Sequence, residues 1–367
     1  MRVLVWQWGR RGGGPRYGAE LAESLRGLPD ATAVLSLSRQ AELLRGPTLP
    51  GDAPPVCELP VATYDGLASF LLRCALAPFQ VGTLADRLRA LRLDVAICAM
   101  PGPLDLLMAA ALRRAGVPFF VVVHDADLHP GDGLPLQMIL QRSLMRRADG
   151  LIALSVHVRE RLRELEQGSG RPLILSSHPP RAFGPPPPPA MAHGGRMRLL
   201  SFGRLLPYKG LDLLAEALRR LGGRTDFELR VVGQGPASPE LDALRAIPGV
   251  TVENRWVPEE EIAALLAWSD ALVLSHREAS QSGGAAAAIA ARRWVVATRV
   301  GGLVEQLQGE ALARLCEPTP ESLAAALAAL LDERPTVAPP QRTDPRAAWH
   351  AMATDLVRAL RAALHRG

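Results

Sequence analysis

Apolar residues fall in short β-branched runs separated by longer stretches with helical spacing. In the first half Val3–Trp8, Thr32–Ser36, Val95–Ala99, Phe119–His124, Gly150–Leu154 and Pro172–Ser176 read as strands. Between them Tyr17–Leu25, Leu104–Ala115, Leu136–Arg147 and His157–Gln167 read as helices. The strand runs lack clean in–out alternation and are spaced by helical lengths, the pattern of a parallel sheet covered on both faces. The apolar stretch Leu67–Phe79 is interrupted by Arg73 and Pro78 and is read as too short to span a bilayer, which takes ~20 residues.

The rhythm breaks at His178–Gly195, with five consecutive prolines at 185–189. Such a run enters neither a helix nor a central strand and acts as a semi-rigid extended spacer. The alternation then restarts, with strands at Met197–Phe202, Glu228–Val232, Thr251–Glu253, Ala271–Leu274 and Trp294–Thr298. Helices are predicted at Gly210–Leu221, Pro239–Arg245, Pro258–Trp268, Gly284–Arg292 and Pro320–Asp332. Asp344 and Pro345 open a last helix as N-cap and first helical residue. Its Trp349, Met352, Leu356, Leu360 and Leu364 recur every three or four residues, so it docks by one face. The expectation is an α/β chain of two Rossmann-like, doubly wound domains facing a cleft: 1–182, a proline-rich linker 183–195, then 196–343, with a helix at 344–367. Ligands in such folds sit at the carboxyl ends of strands, where helix N-termini point.

Composition sharpens one position. Of 42 basic residues 41 are arginine, and Lys209 is the only lysine. The formal charge of +5 is spread as +4 over residues 1–185 and +1 over 186–367, with neither half strongly charged. No basic tail or stripe of the nucleic-acid-binding kind is seen, whereas a pI of 9.5 suits anionic small ligands or a loose peripheral contact with an anionic membrane. The cysteines (57, 74, 98 and 316) are scattered without CxxC or metal-ligand spacing. Met1–Trp8 reads as a strand followed by Arg10 and Arg11 rather than as a signal peptide, so a reduced, cytoplasmic protein is expected.

Four loops carry candidate chemistry. FGRLLPYKGLD (202–212) places Arg204 and Lys209 beside the start of a helix, three features that favour a phosphate or diphosphate. The plain alternative is a βα loop with incidental surface charge. A lysine persisting in an arginine-rich chain favours the first, because a compact ammonium acts as a point charge where a guanidinium fork does not fit. SHREASQSGGAAAAIAA (275–291) follows a strand with Glu278 and Gln281, and Ser282–Gly283–Gly284 opens an alanine-rich helix. The alanine-rich helix packs closely in any reading, so these polar residues hold the information. RRGGGPRYGAEL (10–21) offers Gly12 and Gly13 for close phosphate approach. It is not a dinucleotide fingerprint, since Tyr17 stands where a third glycine belongs, and this disfavours a nicotinamide oxidoreductase. VVVHDADLHPGDG (121–133) places His124 and Asp125 at a strand end; with His129 they lack a fourth metal ligand.

Together these stretches resemble glycosyltransferase family 4, nucleotide-sugar enzymes of the GT-B fold. The resemblance rests on GRLLPYKGLDLLAEAL (203–218), LRVVGQGP (229–236), 256–284 and VVATRVGGLVEQL (295–307), and more loosely on GGGPRYGAELAESL and His124–Asp125. It implies a metal-independent, retaining transferase moving a hexose-type sugar to a glycan, lipid-linked or small-molecule acceptor. The nucleotide-diphosphate sugar is a substrate, and no cofactor is implied. Arg204 and Lys209 would neutralise the donor diphosphate, Gly233 and Gly235 would line the nucleotide pocket, and Trp256 and Val257 would face the base. Glu278, with Gln281, Ser282 and Gly283, would meet the donor sugar, and His124 the transferred sugar. Gly12 and Gly13 would approach from the acceptor-side domain, onto which the last helix would return. The family's second glutamate, which holds the ribose, would fall at Ala286 or Ala287, and no carboxylate occurs from 279 to 291. Arg292-Arg293-Trp294 also replaces the family's Gly-x-Pro. The missing carboxylate motivates a rival expectation: a catalytically degenerate, transferase-like binding subunit that supports a partner enzyme.

Overall fold

The computed structural model describes residues 1–45, 53–127, 131, 135–165, 170–340 and 344–365. The described residues group into two units: Met1–Ala126, Gly133–Ser177 and Arg346–Gly367 form one, Asp127–Asp132 and His178–Pro345 the other.

The first unit carries β1 (Arg2–Gln7), α1 (Gly13–Arg26), β2 (Thr32–Leu37), α2 (Leu67–Ala90), β3 (Val95–Cys98) and α3 (Asp105–Ala115). It continues with β4 (Phe119–Val123), α4 (Pro135–Arg147), β5 (Gly150–Ala153), α5 (Val156–Leu165) and β6 (Leu173–Leu175). All strands are parallel in the order β2-β1-β3-β4-β5-β6. Alternate residues of β1 supply separate cores, Val3 and Val5 on the α1 face, Leu4 and Trp6 on the face of α2, α3 and α4.

The second unit carries β7 (Met197–Phe202), α6 (Leu211–Arg220), β8 (Phe227–Gly233), α7 (Pro239–Arg245), β9 (Val250–Asn254) and α8 (Glu259–Trp268). After these come β10 (Ala271–Leu274), α9 (Gly283–Ala290), β11 (Trp294–Thr298), α10 (Gly301–Leu307), β12 (Ala313–Cys316) and α11 (Pro320–Glu333). Its parallel order is β12-β11-β10-β7-β8-β9. The strand order reverses direction at β1/β3 in the first unit and at β7/β10 in the second, the points where such sheets receive ligands. The last helix, α12 (Pro345–Leu364), buries Trp349, Met352, Leu356 and Leu360 in the first unit's core beside Tyr17 and Leu21 of α1.

Two sequence expectations are corrected. The proline-rich stretch, expected as a semi-rigid spacer between domains, groups with the second unit, and the chain leaves the first unit after Ser177 rather than after 182. The Arg181 amide donates to the Ala286 carbonyl, and Met191 is buried in the second core. Asp270 gathers the stretch by accepting from the Met191 and Arg198 amides at 2.6 and 2.7 Å and lying 3.0 Å from the His193 ring. Proline forbids a helix or central strand but not docking. Second, Leu67–Phe79 is the start of a 24-residue helix that continues through Arg73 and Pro78. By length and composition α2 is long and apolar enough to cross a membrane, although its Leu84, Ala85 and Leu88 lie in the first unit's core. Pro78 is exposed there, so the carbonyl it leaves without an amide donor meets solvent rather than core. Beyond the predicted elements the structure adds α10 and β12, whose local signal is weak because two glycines open the helix and Arg314 interrupts the strand.

Candidate active site

Two loops meet at the β7/β10 switch point. After β7 the chain runs through Arg204 into a short 3-10 turn, Pro207–Lys209, and reaches α6 through Gly210 at φ 63°. After β10 come Ser275, His276, Arg277 and Glu278. The loops are stapled together: the Ser275 hydroxyl donates to the Lys209 carbonyl at 2.8 Å, and the Arg277 amide to that of Tyr208 at 2.8 Å. A Cβ on residue 210 would lie 2.0 Å from the Ser275 carbonyl oxygen, so both the left-handed backbone and the close approach require glycine.

This stapling positions the cations. The Lys209 ammonium donates to Nε2 of buried His276 at 2.8 Å, which requires that nitrogen to be the unprotonated one. Thr298 donates to the His276 carbonyl at 2.6 Å and fixes the histidine in turn. Arg204 donates to the Tyr208 hydroxyl at 3.0 Å, and both its guanidinium and the Lys209 ammonium lie over the Tyr208 ring, at 5.7 and 5.2 Å from the centroid. One aromatic thus contacts both positive charges. Arg277 and Asp212 form an ion pair at the start of α6, which holds the Asp212 carboxyl below its ordinary range.

The remaining expected residues divide by role. Gly233 and Gly235 have a packing reason of their own: a Cβ on either would lie 1.6 or 2.0 Å from the carbonyl oxygens of Gly203 and Leu205. Asn254, the chain's only asparagine, completes that turn by exchanging two 3.0 Å hydrogen bonds with Gly235. Trp256 is exposed beyond β9, and Val257 packs partly into the second core. Glu278 is exposed and Gln281 half-buried. Ser282 caps α9 through its hydroxyl and is held by Gln306 on both its amide and its carbonyl. At Gly283 a Cβ would meet nothing within 4 Å, so protein packing does not explain that glycine. Ala286 and Ala287 are buried at 1% and 0% exposure, and a glutamate at either would displace core atoms.

In the first unit Gly12 precedes α1 at φ 79°, and Gly13 opens the helix; both are exposed. His124 is buried at the end of β4, its Nε2 2.9 Å from the Ala99 carbonyl, with the Tyr17 ring edge-on at 5.0 Å. Burial lowers its pKa and favours the neutral ring. Tyr17 rests on Trp349 of α12 at 5.4 Å, so the last helix buttresses the histidine indirectly. Among the described residues no three His, Cys, Asp or Glu side chains gather as a metal site, and His129 lies outside them. Sequence reasoning did not single out Tyr208, Ser275 or His276. His276 follows a buried strand just as His124 does, and that signal was available.

Two family profiles match. "Glycosyl transferase 4-like domain" covers residues 12–175, and "Glycosyl transferases group 1" covers 196–333. The chain belongs to glycosyltransferase family 4. A relative, the 2-deoxystreptamine glucosyltransferase of Streptomyces kanamyceticus, is 28% identical over 232 residues. The match covers 56% of this chain and 59% of that protein's length. Among solved structures, sucrose-phosphate synthase from Thermosynechococcus elongatus matches with TM-score 0.68 at 14% identity, all of both chains covered. HepE of Anabaena, solved with UDP-glucose, matches at 0.63 and 16%, covering 100% of this chain and 99% of that one. The fold of the chain is therefore GT-B.

Proposed function

We propose that the chain transfers a hexose-type sugar from a nucleotide-diphosphate sugar to a glycan, lipid-linked or small-molecule acceptor, retaining anomeric configuration and requiring no metal. The observation that carries this reading is the pair of cations, Arg204 and Lys209, both in contact with Tyr208 at the switch point of the second sheet. As the bond from the anomeric carbon to the diphosphate breaks, negative charge grows on the departing oxygens. A guanidinium fork and an ammonium held by His276 stabilise that charge without reorganising, as a bound metal otherwise does. The acceptor oxygen bonds to the anomeric carbon on the same face, and its proton passes to the departing phosphate. Glu278, ahead of α9, accepts hydrogen bonds from sugar hydroxyls, and the unfilled space at Gly283 lets the donor approach the helix backbone. With Ala286 and Ala287 sealed in the core, the ribose takes its partners elsewhere. The four free cysteines support a cytoplasmic setting.

UDP-glucose is the first donor to test, because HepE was solved with it and the Streptomyces relative is a glucosyltransferase. Pure protein is incubated with UDP-, GDP- and ADP-sugars, with and without chelator, and release of nucleoside diphosphate is measured. Release from one donor class, undiminished by chelator, is expected. Nucleotide binding with no turnover of any donor would instead make the chain a degenerate binding subunit.

A further inference from the structure

The first half of α2 is apolar all round. Phe70, Ala77 and Val81 pack toward the first core, while Leu67, Leu71, Leu72 and Phe79 stand 74%, 58%, 58% and 81% exposed. Positions 67, 71, 75, 78 and 79 form one stripe at helical spacing. Large apolar side chains repeated on one exposed stripe mark an interaction surface, not the scattered apolar residues normal on any protein. Between Asp65 and Asp86 the only charge is Arg73, which donates to the Thr63 carbonyl at 3.0 Å.

The segments tied to the start of this helix are basic. Arg10 donates to the Asp65 carbonyl at 2.7 Å and lies over the Tyr64 ring at 5.0 Å. Arg11 pairs with Glu42, and the Arg39 amide donates to the Val61 carbonyl. Residues 9–11, 38–45 and 61–66, with Arg73, hold five arginines against Glu42 and Asp65. An apolar stripe beside excess arginine complements an anionic bilayer surface, which offers acyl chains below and phosphates above. The same charge disfavours a second copy of this stripe as the partner, because two such faces would oppose arginine with arginine.

We propose that the first half of α2 docks the first unit on an anionic lipid surface, with Leu71 and Phe79 entering the acyl boundary and Arg10, Arg39 and Arg45 meeting headgroup phosphates. The helix lies along the membrane and does not cross it, since Leu84, Ala85 and Leu88 are committed to the core. This docking is independent of donor chemistry.

The test floats the full chain with vesicles of phosphatidylcholine alone and of phosphatidylcholine mixed with phosphatidylglycerol. Flotation with the anionic vesicles only, weakened by salt, is expected. Leu71→Ser with Phe79→Ser lowers the bound fraction at least about tenfold, with unchanged Tm and unchanged donor turnover. A chain left behind by both vesicle types, or a double variant that floats like wild type, overturns the proposal. So does a dimer in vesicle-free solution that the double variant splits, because a second copy then covers the stripe. A chain that floats but turns over no donor sinks the transferase reading and leaves this one standing.

Discussion

The two units build the same kind of six-stranded parallel sheet and place different chemistry at its carboxyl edge. At the first unit's switch point the loop after β1 is glycine-rich, and the nearby histidine is buried, neutral and braced by Tyr17 and Trp349. At the second unit's switch point a lysine and an arginine flank a tyrosine, and a buried histidine accepts from the lysine. A shared architecture therefore supplies only a location, and the βα loops decide what charge stands there. The strand orders differ as well. The second sheet carries β8 and β9 outside β7, whereas the first has only β2 outside β1 and sends its chain through α2. Among the described residues, Leu67, Leu71, Leu72 and Phe79 of α2 stay exposed.

The largest effect expected from testing this contrast separates two glycines of the second unit. Gly233→Ala drives a methyl to 1.6 Å from a backbone oxygen that cannot move alone, and the second unit is expected not to fold. Gly283→Ala meets no protein atom, so stability should change by less than ~0.5 kcal/mol while donor turnover falls. Soluble yield, thermal melts and turnover read both, and equal behaviour of the two variants would dissolve the distinction between a packing glycine and a ligand-facing one.

Next in size, Lys209→Ala should lower kcat about 10²–10³-fold with the melt unchanged, the loss typical of one preorganised donor to a developing anion. His276→Gln keeps an acceptor for the ammonium and should retain more activity than His276→Ala. Wild-type turnover in the lysine variant would remove the diphosphate assignment.

The first unit responds differently, through stability. Trp349→Ala empties the contact between α12 and Tyr17 and should cost ~3–5 kcal/mol in denaturant melts of that unit. An unaltered melt would mean that α12 is not part of that unit's cooperative core.

The smallest effect concerns Asp105, buried at the start of α3. Its Oδ2 accepts from the Gly102 amide at 2.7 Å and the Cys98 thiol at 3.3 Å. Burial pushes its carboxyl up to about 7, against the donated hydrogen bonds. An unfolded aspartate titrates near ~3.9, so between about pH 4 and 7 the folded chain holds a proton that the unfolded chain has lost. Stability contributed by the neutral acid is therefore present below that window and declines as pH rises through it. Asp105→Asn should flatten the fall of Tm across this range, and an unchanged slope would assign the pH dependence to other groups.

Legibility in the sequence followed locality. Strands and helices were readable because buried strands are β-branched runs and their helices repeat at three or four residues. Most of their ends moved by only a residue or two, from Gly210–Leu221 to Leu211–Arg220 for example, whereas α1 begins at Gly13, four residues before the expected Tyr17. Helix α2 differs from the expectation because apolar residues line its exposed side as well as its buried one, so no polar face marks the period, and Pro78 reads locally as a stop. Lys209 stood out by rarity, but its partner is 67 residues away, and no local spacing announces such a contact.

By itself the sequence determined the α/β alternation, the family and the loops that carry charge, because these depend on residue type and short spacing. Only the tertiary structure decided that Asp270 fastens the proline-rich stretch to the second unit, that His276 holds the lysine, and that Gly233 serves packing while Gly283 faces open space. Each of those is a long-range contact or a steric gap, set by which strands lie side by side after the chain has crossed over.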